Sequence, residues 1–281
     1  MQRFSYNIKK WEKIYRYAVL FLMLFIVLFP YYWIVVTSFK TLEQISSAKN
    51  IFIPNPFTLK NYYHLIKDTH FPIWFKNSLS VAVTTVAITL LLSNLAAYSI
   101  GRIKFRGKRL IATLILVFYL FPPTVIFIPL YLMLNKVNLT NHLAGVMLIY
   151  PTITLAFSTW FLISFYQSIP TELEESAMID GATRFQAFRK IILPLTLPAQ
   201  TAAAIFSFSW CWDEFLYALV FLQDVEKQTM NIGVYEFSLA DIYPWGLLMS
   251  AGVLMSVPVI ILYVFVQKYM IRGLTAGAVK E

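Results

Sequence analysis

The sequence predicts an all-α, polytopic membrane protein with six transmembrane helices and both termini on the cytoplasmic side. Three observations predict it. First, six long apolar runs occupy residues 17–37, 77–100, 110–133, 143–165, 195–221 and 247–267, and about 20 apolar residues cross a bilayer core. Second, five of these runs contain no Asp, Glu, Lys or Arg, and only 13% of the chain is charged, against about 25% in an ordinary soluble domain. Third, the cations alternate between loops. With the N-terminus inside, segments 1–16, 101–109, 166–194 and 268–281 face the cytoplasm and hold 16 of the 23 Lys and Arg. Segments 38–76, 134–142 and 222–246 face outward and hold the other 7. That is the positive-inside pattern.

These runs and loops set the domain organisation. Residues 1–16 form a cytoplasmic segment and 17–267 the six-span domain, with 166–194 as its large cytoplasmic loop. Residues 268–281 form a cytoplasmic tail. Buried helices of a soluble core would be shorter and carry polar faces. The net charge of +9 sets topology, and no basic groove for nucleic acid is needed. The first run is too long for the apolar region of a cleaved leader and lacks a small-residue cleavage site. Cys211 is the only cysteine, which excludes an intrachain disulfide and a cysteine metal cluster. His64, His70 and His142 have no metal-ligand spacing.

Taken in order, Lys9, Lys10, Lys13 and Arg16 lead into the first span. The stretch "FIPNPFTLKNYYHLI" reads as a turn and then a short helix. Pro54 and Pro56 break regular structure there, and Thr58 can cap the short helix. The second span is rich in small and hydroxylic residues, Ser78 to Ala97 with Asn94 among them. Such residues serve either close helix packing or a pathway face. "GRIKFRGKR" makes a tight, basic turn into the third span. Prolines 30, 122, 123, 129, 151, 198 and 258 lie within spans, where each removes a backbone hydrogen bond and bends the helix unless neighbours satisfy the freed carbonyl.

The stretch "TELEESAMIDGATRFQAFRKIILPLTLP", residues 171–198, is polar where its surroundings are apolar. Its spacing predicts two short helices. Thr171 and Glu174 have the spacing of a capping box, and Glu172, Glu174 and Glu175 suit the positive end of a helix dipole. Asp180-Gly181 ends the first helix, with Gly181 taking a left-handed conformation. Thr183 and Gln186 repeat the box for the second helix. Phe185, Phe188 and Ile192 form one apolar stripe, and Pro194 and Pro198 mark the return to the membrane. An ordered, partly acidic helical hairpin fits a soluble partner. A helix resting on headgroups prefers a basic polar face.

Within that stretch, "EESAMIDGATRFQAFRKIILP" resembles the EAA loop of binding-protein-dependent ABC-transporter permeases. Glu175, Ser176 and Ala177 stand for E-A-A, followed at the family's spacing by Gly181, Ile191, Leu193 and Pro194. Ser176 departs from the family's Ala. "NSLSVAVTTVAITLLLSNLAAYSIGRIKFRGKR", "WCWDEFLYALVFL" and "GLTAGAVKE" are similar to the carbohydrate-uptake, maltose-permease-like subgroup. The resemblance implies a permease subunit in a bacterial or archaeal plasma membrane, paired with a second homologous permease. It implies a cytoplasmic ATP-binding-cassette ATPase dimer gripping the loop, and an extracytoplasmic sugar-binding protein delivering sugar. Contact with the ATPase is then expected from Glu174, Glu175, Ser176, Ala177, Asp180, Gly181, Ile191, Leu193 and Pro194. Gly273, Thr275 and Gly277 of the tail reach the ATPase in that family, or else fray as a polar terminus.

No ATP site lies in this chain. The only Gly-Lys pair, Gly107-Lys108, is followed by Arg109, and position 102 is Arg where a Walker A loop needs Gly. No cofactor is expected on the chain, with ATP and magnesium on the partner. Asp213 and Glu214 are the only charges inside any span, and intramembrane carboxylates are costly. Asp213 lies 18 residues past Leu195, roughly 27 Å along a helix, which is near the outer side of the core. Together with Ser209, Trp210 and Asn94 it is a candidate for the substrate path, a carboxylate beside an indole suiting a sugar. An interfacial pair within an aromatic belt of Trp210, Trp212, Tyr243 and Trp245 is the alternative. The outer loop 222–246 either meets the binding protein or simply connects spans. The competing functional reading is a stand-alone secondary transporter or channel, which needs charges or interrupted helices near the midplane.

Overall fold

The computed structural model describes residues 2–47, 52–239 and 243–278, and the described residues are helical with no strand. Among the described residues four helices are long and apolar enough to cross a membrane, or up to six if each of two bent pairs counts as one span. The chain divides into two units, Met1–Thr69 with Glu236–Ser256, and His70–Tyr235 with Val257–Glu281.

The first unit contains α1 (Gln2–Ser38), α2 (Leu42–Ser47) and α3 (Lys60–Lys67). It also contains the start of α14 (Trp245–Ala278). Tyr31 and Ser256 hydroxyls meet at 2.8 Å, tying α1 to α14. Asn61 donates to the carbonyls of Ser38 and Lys40 at 2.9 and 2.8 Å, which fixes α3 under the end of α1. Gly246 lies against that amide, and a Cβ there would sit 2.4 Å from Asn61 Oδ1. The expected turn and short helix after Pro54 are present. Thr58 accepts from the Lys60 amide at 3.1 Å, although the N-cap position falls at Leu59.

The second unit holds α4 (Phe71–Arg102), α5 (Lys108–Leu120), α6 (Pro123–Lys136) and α7 (Leu143–Ser168). Then come α8 (Glu172–Ile179), α9 (Arg184–Ala187), a π-helical segment Phe188–Ile192, α10 (Leu193–Leu195) and α11 (Leu197–Asp213). Two further helices, α12 (Leu216–Phe221) and α13 (Met230–Phe237), come next. Its centre is the packing of α4, α7 and α11. The small residues of α4 make it possible. Ser78, Ala82, Thr85, Thr89, Ser93, Asn94 and Ala97 are buried, so this stripe is a packed helix interface. Thr89 and Thr154 hydroxyls meet at 2.7 Å, Tyr166 donates to Asn94 Oδ1 at 2.7 Å, and Ser158 meets Ser207 at 3.3 Å. Such interhelical bonds contribute about 0.6 kcal/mol each in lipid.

Two runs expected as continuous helices are broken. Residues 110–133 form α5 and α6, bent by 98° at Phe121 and Pro122. Phe121 and Pro122 take extended ψ values of 132° and 122°. The cause is the proline pair: neither has an N–H, and each pushes the preceding residue out of helical ψ. The run 195–221 ends its helix at Asp213. Glu214 is extended at ψ 130°, and α12 starts afresh at Leu216. Pro30, Pro151 and Pro258, by contrast, lie inside uninterrupted helices.

Candidate functional site

Two places gather the residues singled out by sequence. The first is the hairpin between α7 and α11. Pro170 holds Ile169 extended, and α8 then begins with Glu172, Glu174 and Glu175 in its first turn. Its C-terminus is a full Schellman motif. The Ala182 amide donates to Ala177 O at 2.9 Å and the Gly181 amide to Met178 O at 3.1 Å. Gly181 sits at φ +89° with open space around its Cβ position, so glycine is required there by backbone conformation alone. The capping box at Thr183 forms: its hydroxyl accepts from Gln186 N at 3.3 Å and Gln186 Oε1 accepts from Thr183 N at 2.7 Å. After Ala187 the ladder slips to i→i+5, with Leu193 N donating to Phe188 O. Pro194, which offers no N–H, comes directly after. The axis then turns by 73° into α11.

The capping box expected at Thr171 does not form. Thr171 is itself helical and its side chain caps nothing. Glu174 instead turns inward, only 8% exposed. It accepts from the Tyr98 hydroxyl and pairs with Arg102 Nε at 3.2 Å. The expected stripe also splits. Phe188 and Ile192 are buried with Ala97, Tyr98, Leu162 and Tyr166, and the Phe188 ring lies 4.6 Å from that of Tyr98. Phe185 stays out, 61% exposed. The outward face thus carries Phe185 and Ile179, the latter 86% exposed, beside the exposed Glu175, Ser176 and Asp180. Ala177 is buried, Ile191 and Leu193 are half-buried, and Pro194 is exposed. Sequence reasoning missed Ile179, whose exposure is set by the tight turn at Gly181, and missed Tyr98 and Arg102 altogether.

The second place is a cleft of about 470 Å³ at the far end of α11. It is lined by Ser209, Trp210, Asp213 and Glu214, with Pro123 and Thr124 from the start of α6 and Phe206 and Phe215–Tyr217. Both helix breaks therefore meet here, and the Tyr217 hydroxyl donates to Pro123 O at 2.6 Å, joining one to the other. Irregular backbone at membrane depth is tolerated where it is buried in protein or lines a cavity. The two carboxylates differ. Glu214 accepts from the Tyr150 hydroxyl and from the amides of Tyr217 and Ala218 at 2.7 and 3.1 Å, so it holds the restart of the chain. Asp213 is exposed at the last position of α11. The Trp210 ring stands edge-on to Tyr150 at 5.3 Å, next to the same anchor. Asn94 is not part of this cleft: its amide donates to Leu90 O and accepts from Tyr166 inside the α4–α7 interface. Trp212 is buried against Phe75 and Phe208, whereas Tyr243 and Trp245 stack half-exposed, as belt residues do.

The first part of the loop after α12 is clasped. Trp74 donates to Val225 O at 2.7 Å, and Asn77 donates to Glu226 O and Gln228 O, each at 2.9 Å. Asn141 accepts from the amides of Gln223 and Asp224 at 3.0 and 3.1 Å. Lys227, 2.8 Å away, holds the Asp224 carboxyl below the usual carboxylate range, and Asn141 adds to the effect. Gly233 packs on the Trp74 ring, where a Cβ would come within 2.1 Å. Any side chain at 233 must displace a buried indole. In the tail, Gly273, Thr275 and Gly277 continue α14, but their side chains lie outside the described residues, as does all of Lys280.

An all-helical membrane protein with interrupted helices around a cleft that holds two carboxylates, and with an ordered hairpin between α7 and α11, has the build of a transport permease. Residues 90–276 match the family described as binding-protein-dependent transport system inner membrane component, and the chain belongs to that family. It is 36% identical over 262 residues to the trehalose/maltose transport system permease protein MalG of Thermococcus litoralis, covering 92% of this chain and 94% of that one. It is 37% identical over 253 residues to the sulfoquinovosyl glycerol transport system permease protein SmoH of Agrobacterium fabrum, covering 90% and 89%. A bacterial ABC transporter that imports the acidic polysaccharide alginate shares the fold, with a TM-score of 0.81 at 21% identity over 92% of this chain and 96% of that one.

Proposed function

We propose that the chain is one permease subunit of an ATP-driven importer of a neutral sugar or oligosaccharide in a bacterial or archaeal plasma membrane. The six apolar runs cross the membrane, the fifth entering it after the hairpin, with both termini cytoplasmic as the cation distribution favours. A second, homologous permease completes the path. A cytoplasmic ATP-binding-cassette ATPase dimer binds the hairpin and supplies ATP and magnesium, since this chain has no Walker A sequence. An extracytoplasmic binding protein delivers the sugar. The relatives named for trehalose/maltose and sulfoquinovosyl glycerol transport support a sugar as cargo. The cleft lining favours an uncharged one, because it includes Asp213 and Glu214 and no Lys, Arg or His.

The observation that carries the reading is the hairpin. It is locked at its base by buried groups, and its tip presents Ile179 and Phe185 beside acidic residues. Exposed apolar side chains on a rigid, charged element mark a protein contact. The interrupted helices at the cleft are a feature that a stand-alone secondary transporter would share. Such a transporter leaves the hairpin tip without a role. Affinity purification of the tagged chain from its native membrane tests the reading. Wild type is expected to bring down a soluble ATPase, and Ile179→Asp to lower its recovery about tenfold, since burying an unpaired charge costs a contact more than about 1.4 kcal/mol. Recovery of the chain without any ATPase, together with ion-driven uptake by the chain alone, would overturn it.

A further inference from the structure

Arg102 is the last residue of α4, and its side chain is only 4% exposed. It reaches two other places, the first turn of α8 and the end of α7. Its Nε pairs with Glu174 in the first turn of α8 at 3.2 Å. Its Nη1 donates to Ile169 O at 2.5 Å and Tyr166 O at 3.4 Å, and its Nη2 to Pro170 O at 3.2 Å. Those carbonyls lie at or just past the C-terminus of α7, where helix carbonyls lack intrahelical donors and the dipole favours a cation. Tyr98, one turn earlier on α4, donates its hydroxyl to the other oxygen of Glu174. A guanidinium offers five N–H groups in a fixed fork, so one side chain can serve a carboxylate and several carbonyls together; an ammonium has three donors at one point.

We propose that Arg102, with Tyr98, is the positioning residue that converts movement of the hairpin into movement of α4 and α7. This rests on the reading of the hairpin as the ATPase contact. Glu174, by its place next to Glu175, looks like part of the contact surface, yet it faces inward. The hairpin then has two sides with separate duties. Glu175, Ile179 and Phe185 meet the motor, while Glu174 fastens the hairpin to the span carrying the small-residue interface. A push on the tip is carried into the membrane because the base cannot pivot. Without the clamp, the motor still binds and still closes on ATP, but the hairpin swings at its base and the spans lag behind.

The experiment uses the complete importer reconstituted in liposomes and reads sugar delivered per ATP hydrolysed, alongside the amount of assembled complex. Arg102→Met is expected to retain ATPase and hydrolysis while lowering that ratio about tenfold, within the range typical of coupling energies between sites. Arg102→Lys should recover part of it. Gly233→Ala, which forces the Trp74 ring to move, serves as a control for general destabilisation. It should reduce the amount of complex and leave the ratio unchanged. If Arg102→Met does not assemble, Tyr98→Phe decides, since it removes one hydroxyl from the clamp; a ratio lowered about threefold supports the proposal. An unchanged ratio in an assembled Arg102→Met or Tyr98→Phe complex overturns it, as does an equal drop in Gly233→Ala. Failure of the wild-type chain to bind any ATPase would defeat the functional reading, and so appears as a different result.

Discussion

Replacing Gly181 by Val is expected to abolish ATP-driven uptake, whereas Gly181→Asn keeps most of it. The site has room for a side chain: nothing lies within 4 Å of a Cβ built there. What it lacks is tolerance for the backbone that a side chain prefers. Gly181 sits at φ +89°, and an L-residue in the left-handed region costs about 1–2 kcal/mol, with β-branched residues worst and Asn least penalised. The two Schellman bonds to Ala177 and Met178 depend on this conformation. Val therefore opens the turn, and Ile179 and Phe185 no longer hold their positions relative to Glu175. ATPase recovery and uptake should fall together in the order Gly, Asn, Ala, Val. A flat series would mean that the turn geometry is irrelevant to coupling.

Asp213→Asn is expected to lower the maximal rate of uptake by about tenfold, which corresponds to losing one charge-assisted hydrogen bond of about 1.5 kcal/mol. ATP hydrolysis without sugar should be unaffected, because the cleft and the hairpin occupy opposite ends of α11. The two neighbouring carboxylates have unequal duties. Glu214 is held by one hydroxyl and two amides, and Asp213 is exposed in the cleft beside Trp210. Sugar hydroxyls donate to a carboxylate while the C–H face of the ring packs on an indole. Glu214→Gln should instead reduce the yield of folded protein, since it weakens the anchor that restarts the chain as α12. Unchanged rates in Asp213→Asn across several neutral sugars would remove Asp213 from the path.

Much of this architecture is readable in the sequence, for reasons that differ from place to place. Gly181 and the Thr183–Gln186 box are local: spacing and backbone preference within four residues decide them. The apolar runs are equally local, since length and the absence of charge set their location. Glu174 misleads for the opposite reason. Its spacing from Thr171 is that of a capping box, but Tyr98 lies 76 residues away and Arg102 lies 72 away, and both compete for the same carboxylate. A buried guanidinium and a tyrosine hydroxyl hold it more strongly than one terminal amide does. Asn94 behaves in the same way, drawn into the helix interface by Tyr166. The breaks are half legible. Pro122-Pro123 announces an interruption, whereas the 98° angle and its meeting with Glu214 come from packing that no local pattern encodes. The break at Glu214 has no proline or glycine to announce it.

If a separate ATP-driven subunit seizes the hairpin between α7 and α11 and moves it as one rigid piece with α4, the hairpin tip must touch that subunit. The decisive experiment places a photo-reactive crosslinker on Ile179→Cys in native membrane vesicles, with the buried Cys211, the only native cysteine, left in place. Irradiation should capture a soluble ATPase subunit, with a yield that changes between nucleotide-free and ATP-bound states. Adducts confined to lipid, or a protein adduct whose yield ignores nucleotide, would show that the hairpin is not the point of drive.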